Sequence, residues 1–127
     1  MDVESSLTIG LRGVNIPEEE LERLALRVAE IIERVLESRI GMRFLEDLEV
    51  VVRLDREESG ELTLTVDLSF SAPRALGVDY ELVIDEALKR ACSYLEDRLR
   101  AYVVRARRGA SGGLGGEETE QRADTNP

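Results

Sequence analysis

Arg98, Arg100, Arg105, Arg107 and Arg108 place five guanidinium groups within eleven residues of a chain whose formal net charge is -10. A guanidinium fork matches phosphate and carboxylate alike, so this local reversal of sign is a candidate contact for RNA phosphates or an acidic partner. The competing reading is a solvated helix end whose cations complement the macrodipole. The remaining reactive side chains are scattered. The chain has no histidine, which removes the commonest general base, the commonest zinc ligand and every Ser-His or Cys-His scheme. Cys92 is the single cysteine. It can form neither an internal disulfide nor a cysteine-rich metal site, and on an apolar helix stripe it reads as a small hydrophobe.

The acidic pairs fare no better. Glu57-Glu58 falls in a turn, and Asp85-Glu86 lies on a helix surface near Lys89 and Arg90, the arrangement of surface ion pairs. Neither has the interleaved ligand spacing of a calcium loop. Ser71-Ala72-Pro73-Arg74 has no base within sequence reach and no nucleophile-elbow pattern. The string Gly10-Leu11-Arg12-Gly13 spells the GxxG of the KH phosphate clamp, but that clamp joins two helices and this string leaves a strand. Its glycines are expected to serve the strand exit and the chain reversal. The glycines from Gly109 onward follow a helix and are not closed by Lys-Ser or Lys-Thr, so they do not form a phosphate-cradling loop. No enzyme, no cofactor and no metal are therefore expected.

The elements that must carry these residues follow from periodicity. Leu7, Ile9 and Leu11 alternate with Ser6, Thr8, Gly10 and Arg12. Leu48, Val50, Val52 and Leu54 alternate with Glu49, Val51, Arg53 and Asp55, and Leu62, Leu64, Val66, Leu68 and Phe70 with Glu61, Thr63, Thr65, Asp67 and Ser69. Period two with one apolar face predicts three half-buried strands. The second and third are joined by Arg56-Glu57-Glu58-Ser59-Gly60, whose glycine suits a hairpin. Pro17 followed by Glu18, Glu19 and Glu20 opens a helix. Its apolar stripe is Leu21, Leu24, Ala25, Val28, Ile31, Ile32, Val35 and Leu36, with Gly41 as the C-terminal cap. A second helix opens at Asp79 and shows Ile84, Leu88, Ala91, Cys92, Leu95, Leu99 and Tyr102 on its stripe.

The order strand-helix-strand-strand-helix predicts an α+β fold in two layers: a three-stranded antiparallel sheet with two helices on one face. A fourth strand at Tyr102-Val103-Val104-Arg105, completing a ferredoxin-like fold, ranks second because no turn residues separate it from the helix. The exposed sheet face would carry Ser6, Thr8, Arg12, Glu49, Val51, Arg53, Thr63, Thr65, Asp67 and Ser69. An RRM stacks bases on aromatics from this face, and none is present.

The 127 residues are 43% hydrophobic and 35% charged, which suits one small domain. The domain is expected over 1–108. Residues 109–127, rich in glycine and acids with Leu114 the only large apolar side chain, read as a disordered tail. That tail carries three of the ten net negative charges, so the domain stays acidic without it. An acidic domain repels DNA and anionic membranes. The start MDVESSLTIGLRG lacks a signal-peptide order, and no apolar run reaches the ~18 residues of a membrane span. A cytoplasmic protein is expected.

The element order, the hairpin and the closing helix DYELVIDEALKRACSYLEDRL resemble a small archaeal family of unknown function, often encoded beside the prefoldin beta subunit. The resemblance spans roughly residues 3–104 and rests on pattern and spacing. The same topology is similar to the small dimerising subunit of KEOPS, the complex that makes the threonylcarbamoyl modification of tRNA adenosine. That subunit has no catalytic residues, pairs with a second copy or a paralogue, and docks on the ATPase-like subunit through its helices. Its second helix carries a Leu-Arg-Ala then Asn-Ser pattern, which Leu88-Lys89-Arg90-Ala91-Cys92-Ser93-Tyr94-Leu95 echoes with the arginine out of register and Cys92 in the Asn place. The resemblance implies a non-catalytic assembly subunit, a homodimer or paralogue heterodimer, with tRNA-modification subunits as partners and tRNA contact at most indirect. The alternatives are a weak RNA-binding module using Arg98–Arg108 and an uncharacterised self-associating domain.

Overall fold

The computed structural model describes residues 1–11 and 15–113, with side chains through residue 102. Strand β1 spans Asp2–Leu11, helix α1 Glu18–Ile40, strand β2 Glu46–Arg56, strand β3 Leu62–Ser71 and helix α2 Tyr80–Gly113. A short 3-10 turn, Met42–Phe44, joins α1 to β2. The sheet order is β1-β3-β2 with both pairings antiparallel, so β1 and β2 run parallel to each other across the central strand. Helix α1 is the crossover between them. Both helices cover the same face, and the α+β architecture agrees with the expected one.

β3 supplies the centre of the core. Its inward residues Leu62, Leu64, Val66, Leu68 and Phe70 are no more than 3% exposed, because a central strand is covered on both sides. Val28, Ile32 and Leu36 of α1 and Ala87 and Leu95 of α2 pack over them at 0% exposure. Burying each larger side chain contributes roughly 1.5–3 kcal/mol. The Phe70 and Tyr80 rings meet edge-on, with centroids 5.8 Å apart, and the Tyr80 hydroxyl donates to the Pro73 carbonyl, pinning the β3–α2 connection.

The two helices are antiparallel. Tyr102 of α2 reaches Glu20 at the start of α1, and Glu86 of α2 reaches Arg39 at its end. The caps are as the sequence implies. Gly41 takes φ +99° and donates its N–H to the Glu37 carbonyl, while the Asp79 carboxylate accepts the Leu82 N–H at 3.3 Å. Gly60 closes the β2–β3 hairpin at φ +93°.

Several expectations shift. β1 begins at Asp2, well before its clear alternation at Leu7, because the polar Ser5 occupies an inward position. On α2 the buried stripe is Tyr80, Val83, Ile84, Ala87, Ala91, Leu95 and Leu99, with Leu88, Cys92 and Tyr102 only half-buried on its flank. Tyr102-Val103-Val104-Arg105 is helical, so the second-ranked fourth strand does not form there. Residues 114–127 of the expected tail, and Arg12 and Gly13 of the GxxG string, lie outside the described residues.

Candidate functional site

Four surfaces remain once the core is accounted for, and the first is the arginine run. α2 carries Arg98 and Arg100 as exposed residues, and Arg105, Arg107 and Arg108 continue the same helix, their side chains lying outside the description. Positions 98 and 105 are two turns apart, as are 100 and 107, while 98 and 100 stand roughly 200° apart. The five therefore do not form one row. Arg100 pairs with Asp97 at 3.1 Å, both ends about 70% exposed, and such a pair contributes little. Arg98 lies near Glu20, whose carboxyl is held below its ordinary value first by the Tyr102 hydroxyl at 2.5 Å, with Arg23 and Arg98 adding to the effect.

The second surface is a groove between the helices, enclosing ≈ 340 Å³ and lined by Arg34, Val35, Ser38, Arg39 and Arg90. The Glu86 carboxylate sits beside it: its Oε2 accepts a hydrogen bond from Arg39 Nη2 at 2.8 Å and forms an ion pair with Arg90 Nη2, also at 2.8 Å. The bond from Arg39 is the main reason the Glu86 carboxyl lies below its ordinary value, and the Arg39 guanidinium is raised in return. The Glu86–Arg90 pair is the helix ion pair that the sequence implies. Arg39 is the unanticipated partner, 47 residues away in the chain.

The third surface is the open sheet face. Ser6, Thr8, Glu49, Val51, Arg53 and Asp67 are exposed there, and Thr63, Thr65 and Ser69 are half-buried, as the alternation requires. A shallow depression of ≈ 280 Å³ lies among Glu4, Ser6, Glu49, Val51 and Asp67. Ser6 donates to Asp67 at 2.7 Å and Ser71 to Asp2 at 2.6 Å, both across paired positions of β1 and β3. Among the described residues, no three His, Cys, Asp or Glu side chains gather into a metal-binding group.

The fourth surface is the pair of sheet edges, and they differ. β2 carries a bulge between Glu46 and Glu49, where Asp47 takes φ +53°, and its exposed positions include Glu49, Arg53 and Asp55. β1 pairs with β3 in unbroken register over ten residues, and from Ser5 to Leu11 it has no charge, proline or bulge. Its inward residues Val3, Leu7, Ile9 and Leu11 are only half-buried. Large apolar side chains also stand exposed on the helical layer: Leu26 at 64%, Leu82 at 65% and Met42 at 72%. None of the described helices is long and apolar enough to cross a membrane.

A two-layer α+β protein with a split β-α-β start and a long closing helix is the class that this geometry defines. The chain belongs to the family described as "Protein of unknown function (DUF3194)", whose model matches residues 14–98. It is 34% identical over 96 residues to an uncharacterised protein of Thermococcus kodakarensis, covering 72% of this chain and 87% of that one. It is also 34% identical over 85 residues to an uncharacterised protein of Pyrococcus furiosus, covering 67% and 75%. A crystal structure from Thermococcus onnurineus NA1 superposes with a TM-score of 0.68 at 28% identity, covering 83% of this chain and 98% of that chain. The expectation of a family of unknown function with archaeal members agrees with these matches.

Proposed function

We propose that this protein is a non-catalytic, cytoplasmic assembly subunit that pairs with a second copy of itself or a paralogue along β1. The observation that carries the reading is the contrast between the two edges. β2 is guarded by a bulge and alternating charges, the devices that keep sheets from adding strands. β1 offers a flat, neutral ladder from Ser5 to Leu11. An antiparallel partner strand there would complete the half-buried row of Leu7, Ile9 and Leu11 while satisfying the backbone edge.

The exposed Leu26, Leu82 and Met42 give the helical layer apolar anchors for a further partner. The resemblance of the element order to the small dimerising subunit of KEOPS supports extending the reading to an accessory subunit of an archaeal tRNA-modification assembly, with tRNA contact at most indirect. The Arg98–Arg108 alternative has less support, because the positions are spread around α2 and do not form one row.

The test is mass measurement by sedimentation of the full chain and of a Ser6→Lys, Thr8→Lys double variant, which charges the edge on the solvent face. The expected result is twice the 14.2 kDa chain mass for the unaltered protein and the single mass for the variant. A monomeric parent at about 100 μM overturns the pairing. An affinity pull-down with mass spectrometry then asks for tRNA-modification subunits in fixed ratio.

A further inference from the structure

We propose that the groove between α1 and α2 binds a small phosphate-bearing anion, held by Arg34, Arg39 and Arg90. Three guanidinium groups line one cavity of ≈ 340 Å³ in a chain of net charge -10, and the carboxylate meeting two of them is Glu86. The Nη2 atoms of Arg39 and Arg90 both lie 2.8 Å from a single Glu86 oxygen, the first as a hydrogen bond and the second as an ion pair, so two guanidinium groups converge on one point. Arg34 makes no ion pair or hydrogen bond among the described residues. The groove therefore carries two more positive charges than Glu86 cancels, and it holds unused donors.

The chemistry of those donors selects the ligand. A guanidinium presents its N–H groups in a fixed plane that matches two oxygens of a phosphoryl group, and the Ser38 hydroxyl adds a rotatable donor. The arginines stand on helices fixed by the buried Val35, Leu36, Ala87 and Ala91, so the backbone of the site is set before the ligand arrives. The volume is at the lower end for small-ligand sites. A phosphate polymer would have to cross the acidic surroundings, which favours a small anion over RNA. Glu86 then acts as an internal competitor: it occupies Arg39 and Arg90 until an anion with more charge and more acceptor oxygens displaces it. This inference does not depend on pairing through β1.

The experiment is a titration of the full chain with inorganic pyrophosphate and inorganic phosphate at constant ionic strength, followed by calorimetry and by the arginine Nε–H resonances. The expected result is saturable binding, tighter for pyrophosphate than for phosphate. Arg34→Gln, which removes an unpaired surface group and leaves the fold intact, weakens it about tenfold, the loss of one charge-assisted contact. Glu86→Gln strengthens it severalfold by freeing both forks. Arg98→Gln and Arg100→Gln leave it unchanged. Non-saturating shifts, or equal binding by the Arg34→Gln and Arg98→Gln variants, overturn the site. Tighter binding of a short single-stranded RNA than of pyrophosphate, lost with Arg34→Gln, overturns the small-ligand assignment.

Discussion

Leu24 and Leu26 are the same side chain two positions apart on α1, yet one is 4% exposed and the other 64%. Truncating each to alanine separates what the isolated fold buries from what it leaves for a partner. Leu→Ala removes three carbons, worth roughly 2.3 kcal/mol when nearly all are buried. The residual cavity brings Leu24→Ala to about 3 kcal/mol, inside the usual range for such changes. At Leu26 only about a third of that surface is removed from water, roughly 0.9 kcal/mol, and the better helix propensity of alanine returns about 0.2 kcal/mol.

The expected costs therefore differ by more than about 2 kcal/mol, or some 10 °C in melting temperature for a domain of this size. Urea unfolding at protein concentrations of about 2 and 200 μM measures both costs, with the denaturant slope as a check on compactness. A cost at Leu26 that grows with concentration would place this leucine in an interface between copies. Equal costs for the two variants at both concentrations would refute the assignment of inner and outer faces to α1.

Three further outcomes are expected. Gly60→Ala destabilises the hairpin by about 1 kcal/mol, measured by chemical denaturation; a Cβ at Gly60 meets nothing within 4 Å, so the cost comes from its φ of +93° alone. Acid weakens the fold: Glu20 and Glu86 have carboxyls held below the ordinary 4.5, by Tyr102 and Arg39 first, so their contribution is complete above that value and lost as pH falls through the lowered ones. A Tyr102→Phe, Arg39→Gln double variant should lose less stability between neutral pH and about pH 3 than the parent, and an unchanged pH slope would contradict the pairing. Cys92 should react slowly with a thiol reagent at neutral pH, because burial, and then Glu96, push its thiol above 9.0; rapid reaction would mean that α2 opens there.

Element types were legible because the strands and helices state their periods plainly. β3 shows this best, since every second residue from Leu62 to Phe70 is large and apolar. The first half of β1 was hidden by Ser5, a polar residue at an inward place that only pairing with Leu68 defines. Ala87 escaped the α2 stripe because a methyl group contributes little to a hydrophobic pattern, although close helix packing buries it completely. Nothing around Glu46-Asp47-Leu48 announces a bulge beyond the tolerance of aspartate for positive φ. The arginine groove was illegible for a different reason. Arg34 and Arg39 are ordinary surface residues on α1, and Arg90 is one on α2; only antiparallel docking of the two helices brings them together. The run at Arg98–Arg108 is dense in sequence, whereas Arg34, Arg39 and Arg90 come together from distant positions.

The bulge at Asp47 has a bearing on how large any assembly can become. A sheet that could grow at both sides would recruit chain after chain into a fibre. With β2 kinked and charged, the one straight, uncharged stretch of edge among the described residues is β1 from Ser5 to Leu11. Under the proposed pairing, two molecules that meet there would use up both such stretches, and the symmetric pair would present only guarded strands to the next arrival. On that proposal, one aspartate in a left-handed turn of the backbone would set a terminus on polymerisation as well as a local bend.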